Sequence, residues 1–137
     1  MKPTDITDKM MSADFFSQWL GIRILSVEKG YCKLGMTVRK EMLNGFGIAH
    51  GGISYSLADS ALAFASNSQG VHSLSIETSI SHIKSITEGT DIIAEARCES
   101  DSNKLGHYHV KISSEKDPDT TIALFKGIVY KTSRTWD

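Results

Sequence analysis

The chain has 137 residues, 40% hydrophobic and 23% charged, an ordinary globular balance with enough length for one continuous core. The 15 basic and 16 acidic residues leave a formal net charge of -1. No long run of either sign occurs, which argues against a nucleic-acid or membrane-surface footprint.

The opening MKPTDITDKMM lacks the apolar stretch of a signal peptide, and Ile48 to Ser66 is too polar for a transmembrane span. Cys32 and Cys98 lie far apart without C-x-x-C spacing, and read as reduced residues of a cytoplasmic protein. With no repeat or linker, a single domain over 1–137 is expected. DFFSQWL, Asp14 to Leu20, predicts a short amphipathic helix with Phe15, Phe16, Trp19 and Leu20 along one stripe. Two strands joined at Glu28-Lys29-Gly30 follow. The second places Cys32, Leu34, Met36 and Val38 on one face and Lys33, Gly35, Thr37 and Arg39 on the other.

A long helix is predicted from about Gly51 to Asn67. It contains no Lys, Arg or Glu, so no face reads as solvated, and a second subunit is expected to cover what one sheet leaves open. Four alternating stretches come next. The first puts Leu74, Ile76, Thr78 and Ile80 opposite Ser75, Glu77, Ser79 and Ser81. The others run from Ile92 to Glu99, Leu105 to Ser114 and Thr121 to Lys131, with a turn at Asp117-Pro118-Asp119. The order predicts an α+β hotdog arrangement, an antiparallel sheet of five to six strands wrapped around one long central helix, with a short N-terminal helix.

Chemistry concentrates in NGFGIAHGGISYSLAD, Asn44 to Asp59. At the start of a helix, backbone N–H groups lack intrahelical partners and carry partial positive charge. Gly51 and Gly52 would let a carbonyl approach those donors, where one is worth about 3–4 kcal/mol to a developing oxyanion. The structural alternative is a glycine turn that merely starts the helix. Asp59 is the only carboxylate between Glu41 and Glu77, on a helix of small and apolar groups. It is either bonded to serine or backbone groups, or it is a general base or nucleophile. Eight residues of helix span about 12 Å, so Asp59 cannot serve a carbonyl held at its own helix start. Two antiparallel helices about a twofold axis would bring each Asp59 to the other's Gly51. Asn44 reads as a turn residue or as a group orienting water. His107 and His109 share a strand face without a third metal ligand, and His72 and His82 show no arrangement.

MLNGFGIAHGGISYSLADSALAFASNSQG, Met42 to Gly70, strongly resembles the hotdog acyl-CoA thioesterases of the phenylacetate-degradation (PaaI) type. Their motif is an Asn-Gly loop, His-Gly-Gly, then Leu-Ala-Asp on the central helix. The resemblance implies hydrolysis of an acyl-CoA to free acid and coenzyme A, with no cofactor and no metal. It implies an oxyanion donor at Gly51, a water-activating or nucleophilic Asp59 from the partner subunit, and orienting roles for Asn44 and His50. Gly52 would join the substrate-binding face, and a related branch carries a water-positioning serine that aligns with Ser75. The family's usual assembly is a homotetramer, a dimer of hotdog dimers. Many members carry an Arg-Pro pair associated with coenzyme A binding. Lys84-Ser85 stands there in this chain, keeping a positive charge but losing the guanidinium fork. Tyr55, Phe46 and Phe64 are possible walls for an aryl-acetyl group such as phenylacetyl. Two other readings keep the fold: a 3-hydroxyacyl thioester dehydratase with His50 as base, and a non-enzymatic acyl-CoA-binding module.

Overall fold

The computed structural model describes residues 1–137. Two short helices, α1 (Pro3–Ala13) and α2 (Phe15–Leu20), lead into β1 (Arg23–Glu28) and β2 (Tyr31–Thr37). A short 3-10 turn at Lys40–Met42 and an irregular loop precede α3 (Gly51–Asn67). Strands β3 (Val71–His82), β4 (Asp91–Asp101), β5 (Leu105–Ser114) and β6 (Asp117–Thr135) complete the chain. The six strands form one antiparallel sheet in the order β1-β2-β4-β5-β6-β3, so β1 and β3 are its edges. The expected hotdog arrangement, a sheet wrapped around one long helix, is therefore present.

The core follows from the two periodicities. Cys32, Leu34, Met36 and Val38 all face inward from β2 and its extension, as the strict alternation predicts. Leu57, Ala58, Ala61, Leu62, Phe64 and Ala65 of α3 are fully buried against the sheet. Phe64 is thus a core residue and not a pocket wall. Neither cysteine is in a disulfide, and burial pushes the Cys32 thiol up to about 12, leaving it unreactive.

Four expectations change. Helix α1 was not foreseen, because its buried face is only Ile6 and Thr7, with Met10 and Met11 packed beside them. The α2 stripe points outward: Phe15 is 74% exposed and Trp19 55%, while Leu20 is buried. The reason is polar. Ser17 faces inward, with its Oγ 2.8 Å from the Ser60 Oγ on α3 and 2.6 Å from Asp14 Oδ2. On β3, a bulge between Ser75 and Glu77 splits the single apolar face. Before the bulge Ser75 pairs with buried Val129 and so takes the helix-facing side, while Leu74 and Ile76 are 65% and 60% exposed. After it, Thr78 and Ile80 turn inward opposite Gly127 and Phe125. Finally, the β5–β6 turn falls at Glu115-Lys116, not at Asp117-Pro118-Asp119. Pro118 is tolerated in β6 because β3 pairs with β6 only as far as Ala123, leaving Pro118 on a local edge.

Helix and sheet approach closely at Gly127, where a Cβ would lie 2.6 Å from Leu62 Cδ2 and 3.3 Å from Thr78 Cγ2. Gly127→Ala is expected to destabilise the fold by about 1–3 kcal/mol through overpacking. Adding Leu62→Ala to it should cost less than the sum of the two single changes, as read from denaturant unfolding of the three variants. Full additivity would show that the contact is slack.

Candidate active site

The loop before α3 is built on Asn44. Its side-chain Oδ1 accepts from the N–H of Phe46 at 2.9 Å and of Ile48 at 3.4 Å, and its own N–H donates to the Ile48 carbonyl at 2.8 Å. Gly47 completes the turn with φ of 78°, a left-handed conformation that glycine adopts freely. The Asn44 oxygen is therefore spent, and only its amide N–H groups remain to face outward. Phe46, at the loop tip, is 91% exposed. The loop is anchored by His50 N–H to Met42 O and Ala49 N–H to Ile86 O, both at 2.8 Å.

His50 is the N-cap of α3. Its Nδ1 accepts from the Gly52 N–H at 2.9 Å, which puts the neutral ring's proton on Nε2 and makes the ring a donor toward its surroundings. Gly52 is thus engaged. The Gly51 N–H has no partner, and Gly51 lines a cleft of about 320 Å³ together with Asn44, Ser54, His82 and Lys84. The structure therefore brings Asn44, Gly51 and Lys84 to one cleft, with His50 capping the helix at its side. It does not bring Asp59 there, nor Ser75, whose hydroxyl makes no hydrogen bond within the chain.

Asp59 lies midway along α3, about 12 Å of helical rise from Gly51. Its carboxylate is half-buried and has no hydrogen-bonding partner, so the capped or serine-bonded alternative is not what the structure shows. It belongs to the least covered stripe of α3, with Gly52, Ser56 and Ala63. Burial, and then the charge of Asp14, raise its pKa above the ordinary carboxylate value of 3.8. Asp14 is held at the α2 N-cap, accepting from Ser17 N–H at 2.9 Å, and the Ser17–Ser60 contact fixes α2 beside Asp59.

Sequence reasoning missed two contributors. His82 ends β3, and its Nε2 lies 3.1 Å from where a Gly51 Cβ would be. A signal existed: a strand returning antiparallel along the helix before it must end near that helix's start. In the sequence Asp14 reads only as the beginning of a helix, and nothing local connects it to a residue 45 positions later. Tyr55, a possible pocket wall, bonds through its hydroxyl to Thr78 and meets Phe125 edge-on at 5.4 Å. His109 pairs with Glu99 at 3.0 Å on the far surface of the sheet.

A carboxyl whose pKa is raised by folding binds its proton more tightly in the native state, so it costs stability as pH rises past the ordinary value. Asp59→Asn is therefore expected to melt higher than wild type at neutral pH, with the gap closing as pH falls toward about 4. Asp14→Asn keeps the α2 cap but removes the neighbouring charge, so the Asp59 carboxyl should titrate at lower pH in that variant. Carboxyl-carbon NMR titration measures this directly, and an unmoved or raised midpoint would contradict the assigned coupling.

Comparison with known proteins agrees with this fold. The thioesterase superfamily model matches residues 46–121, more than half of the chain. A putative esterase of Archaeoglobus fulgidus is 41% identical over 128 residues, covering 93% of this chain and 82% of that protein. The acyl-coenzyme A thioesterase PaaI of Escherichia coli is 33% identical over 126 residues, covering 92% and 89%. The solved structure of the E. coli PaaI protein superposes with a TM-score of 0.93 at 32% identity, covering 97% of this chain and 95% of that one. The chain therefore belongs to the thioesterase superfamily, as a hotdog thioester hydrolase of the PaaI type.

Proposed function

We propose that the protein hydrolyses an acyl-CoA thioester to a free acid and coenzyme A in sites shared between two copies of the chain. The observation that carries this reading is the unpartnered Gly51 N–H, at the positive end of α3, opening into a cleft that also holds Asn44 and Lys84 as donors. A thioester carbonyl laid there accepts from Gly51 N–H and from the Asn44 amide. As the tetrahedral intermediate forms, the oxygen gains charge and both bonds strengthen, which is the difference between ground and transition state that catalysis needs. Lys84 at the mouth of the cleft offers a cation to the coenzyme A phosphates, as a point charge and not a fork.

The base comes from the second subunit. Asp59 has no partner within its own chain, sits on the open stripe of small residues on α3, and is too far from its own Gly51. A twofold axis beside that stripe brings two α3 helices antiparallel and places each Asp59 against the other's helix start. The exposed edge strand β3, with Leu74 and Ile76 uncovered, supports the same pairing, since its free backbone groups can extend the sheet into the partner. Two such dimers would give the family's usual tetramer. Desolvation keeps Asp59 basic enough to take a proton from water as the water oxygen bonds to the carbonyl carbon. The C–S bond then breaks, and the leaving thiolate takes up the proton that Asp59 removed from the water, which returns Asp59 to its carboxylate form. Ser75, turned to the helix-facing side by the β3 bulge, can donate a hydrogen bond to the water near this base, leaving the water's second proton to another acceptor.

The dehydratase reading loses its base in this geometry, because the His50 Nδ1 lone pair is committed to Gly52. E. coli PaaI comes from the phenylacetic acid degradation operon, and on that likeness an aryl-acetyl thioester is the substrate class proposed for this chain. Exposed Phe46 is the ring available to meet such a group.

Two experiments test the reading. Release of the coenzyme A thiol should be followed across a panel of aryl and alkyl acyl-CoAs. Asp59→Ala is expected to lower kcat by about 10²–10⁴ while the protein stays folded, and near wild-type turnover would sink the assignment. Asp59→Ala and Gly51→Val, each inactive alone, should regain about a quarter of wild-type activity when refolded together at equal concentration, because half the dimers are mixed and each mixed dimer holds one intact site. No recovery would show that each chain carries its own complete site.

A further inference from the structure

The cleft is rich in donors and short of acceptors. Asn44 Oδ1 is taken by two backbone N–H groups, and His50 Nδ1 by a third. What remains on the helix-start side is Gly51 N–H, the Asn44 amide and His50 Nε2–H, all donors suited to a carbonyl oxygen. Water attacking a thioester carbon has two protons. One goes to the base, and the other needs an acceptor to hold the water's lone pair toward the carbon.

His82 supplies that acceptor. It is the last residue of β3 and pairs with Ala123, which is buried, so its ring takes the helix-facing side and lies over the start of α3. The ring packs against Gly51, where its Nε2, Cε1 and Cδ2 lie 3.1, 3.4 and 3.8 Å from the position a Cβ would occupy. Its other nitrogen is fixed by a short relay. Ser54 Oγ donates to the Gly51 carbonyl at 3.2 Å and lies 3.3 Å from His82 Nδ1. A hydroxyl has one proton, and with that proton on the carbonyl its oxygen must accept from Nδ1–H. Nδ1 then carries the ring hydrogen, and Nε2 presents a lone pair at the Gly51 end of the cleft.

We propose that His82 is a catalytic residue that orients the attacking water, its Nε2 accepting a hydrogen bond from the water proton that the base does not remove. No proton passes to His82. The water oxygen bonds to the carbonyl carbon, its transferred proton goes to the partner's Asp59, and the C–S bond breaks in the following step. The role rests on the thioesterase reading above. It also gives Gly51 a second task, since any side chain there would displace the ring.

Three substitutions test it. His82→Phe keeps a ring against Gly51 and removes both nitrogens. His82→Asn keeps a polar atom near Nδ1 only, and His82→Gln places one near Nε2. The expected result is a fall in kcat of about tenfold for Phe and Asn, the worth of one hydrogen bond, with KM moved less than about twofold and Gln restored to within about threefold of wild type. Equal kcat in all three variants and wild type would overturn the proposal, as would a loss confined to KM. So would a Gln variant no better than Asn. If His82→Phe does not fold, the Asn and Gln pair decides alone. Asp59→Ala measured in the same assay separates the two ideas. An inactive Asp59→Ala beside an unimpaired His82→Asn defeats the water-orienting role and leaves the thioesterase reading standing, whereas an active Asp59→Ala defeats that reading itself.

Discussion

The backbone N–H groups of the first turn of α3 constrain everything around them. A helix start must satisfy those donors or leave them for another molecule, and this one does both in adjacent residues. His50 folds back onto Gly52 and closes one donor, while Gly51 keeps its own open to the cleft. That division requires a loop rigid enough to aim His50, which Asn44 provides by binding two of its backbone groups. It also requires a bare Cα at Gly51, against which the ring of His82 rests.

Around this point the fold arranges opposite chemistries at a fixed separation. The helix start gathers donors; the middle of the same helix carries a carboxylate with none. Desolvation raises the proton affinity of that carboxylate, and the N-terminal helices add to the effect by holding Asp14 beside it through Ser17 and Ser60. The outward aromatic face of α2 is a consequence: with the serine contact turned inward, Phe15 and Trp19 have no core left to enter. On the proposed mechanism stability and activity pull apart here, because the charge that would let Asp59 act as a base is the one the folded chain holds at a cost.

Much of the architecture was legible because the patterns were long and regular. The alternation in β2 and the uncharged run of α3 give their burial directly, and Gly51 and Asn67 bound the helix as read. Failures came where a local pattern had two solutions. The apolar alternation of β3 reads as one face, but a bulge of a single residue reverses it midway, and no turn residue marks the place. The α2 stripe reads as a buried face, but with one polar contact to α3 the opposite side wins. Helix α1 offers too few apolar residues to stand above its charges, and only packing against the rest of the chain makes it visible.

The amino-acid sequence by itself determined the fold class, the glycine start of α3, the carboxylate on its middle turns and, from helical rise alone, that these two cannot meet within one chain. Those are properties of spacing and residue type, which a helix converts to distance without help. Tertiary structure alone decided which atoms are free. Whether Gly51 or Gly52 keeps its donor, whether Asn44 offers oxygen or nitrogen, and whether His82 stands at the cleft all depend on hydrogen bonds between segments that have no fixed relation until the sheet closes around the helix. A donor or acceptor counts for chemistry only when nothing else has claimed it, and that is settled by the folded neighbours.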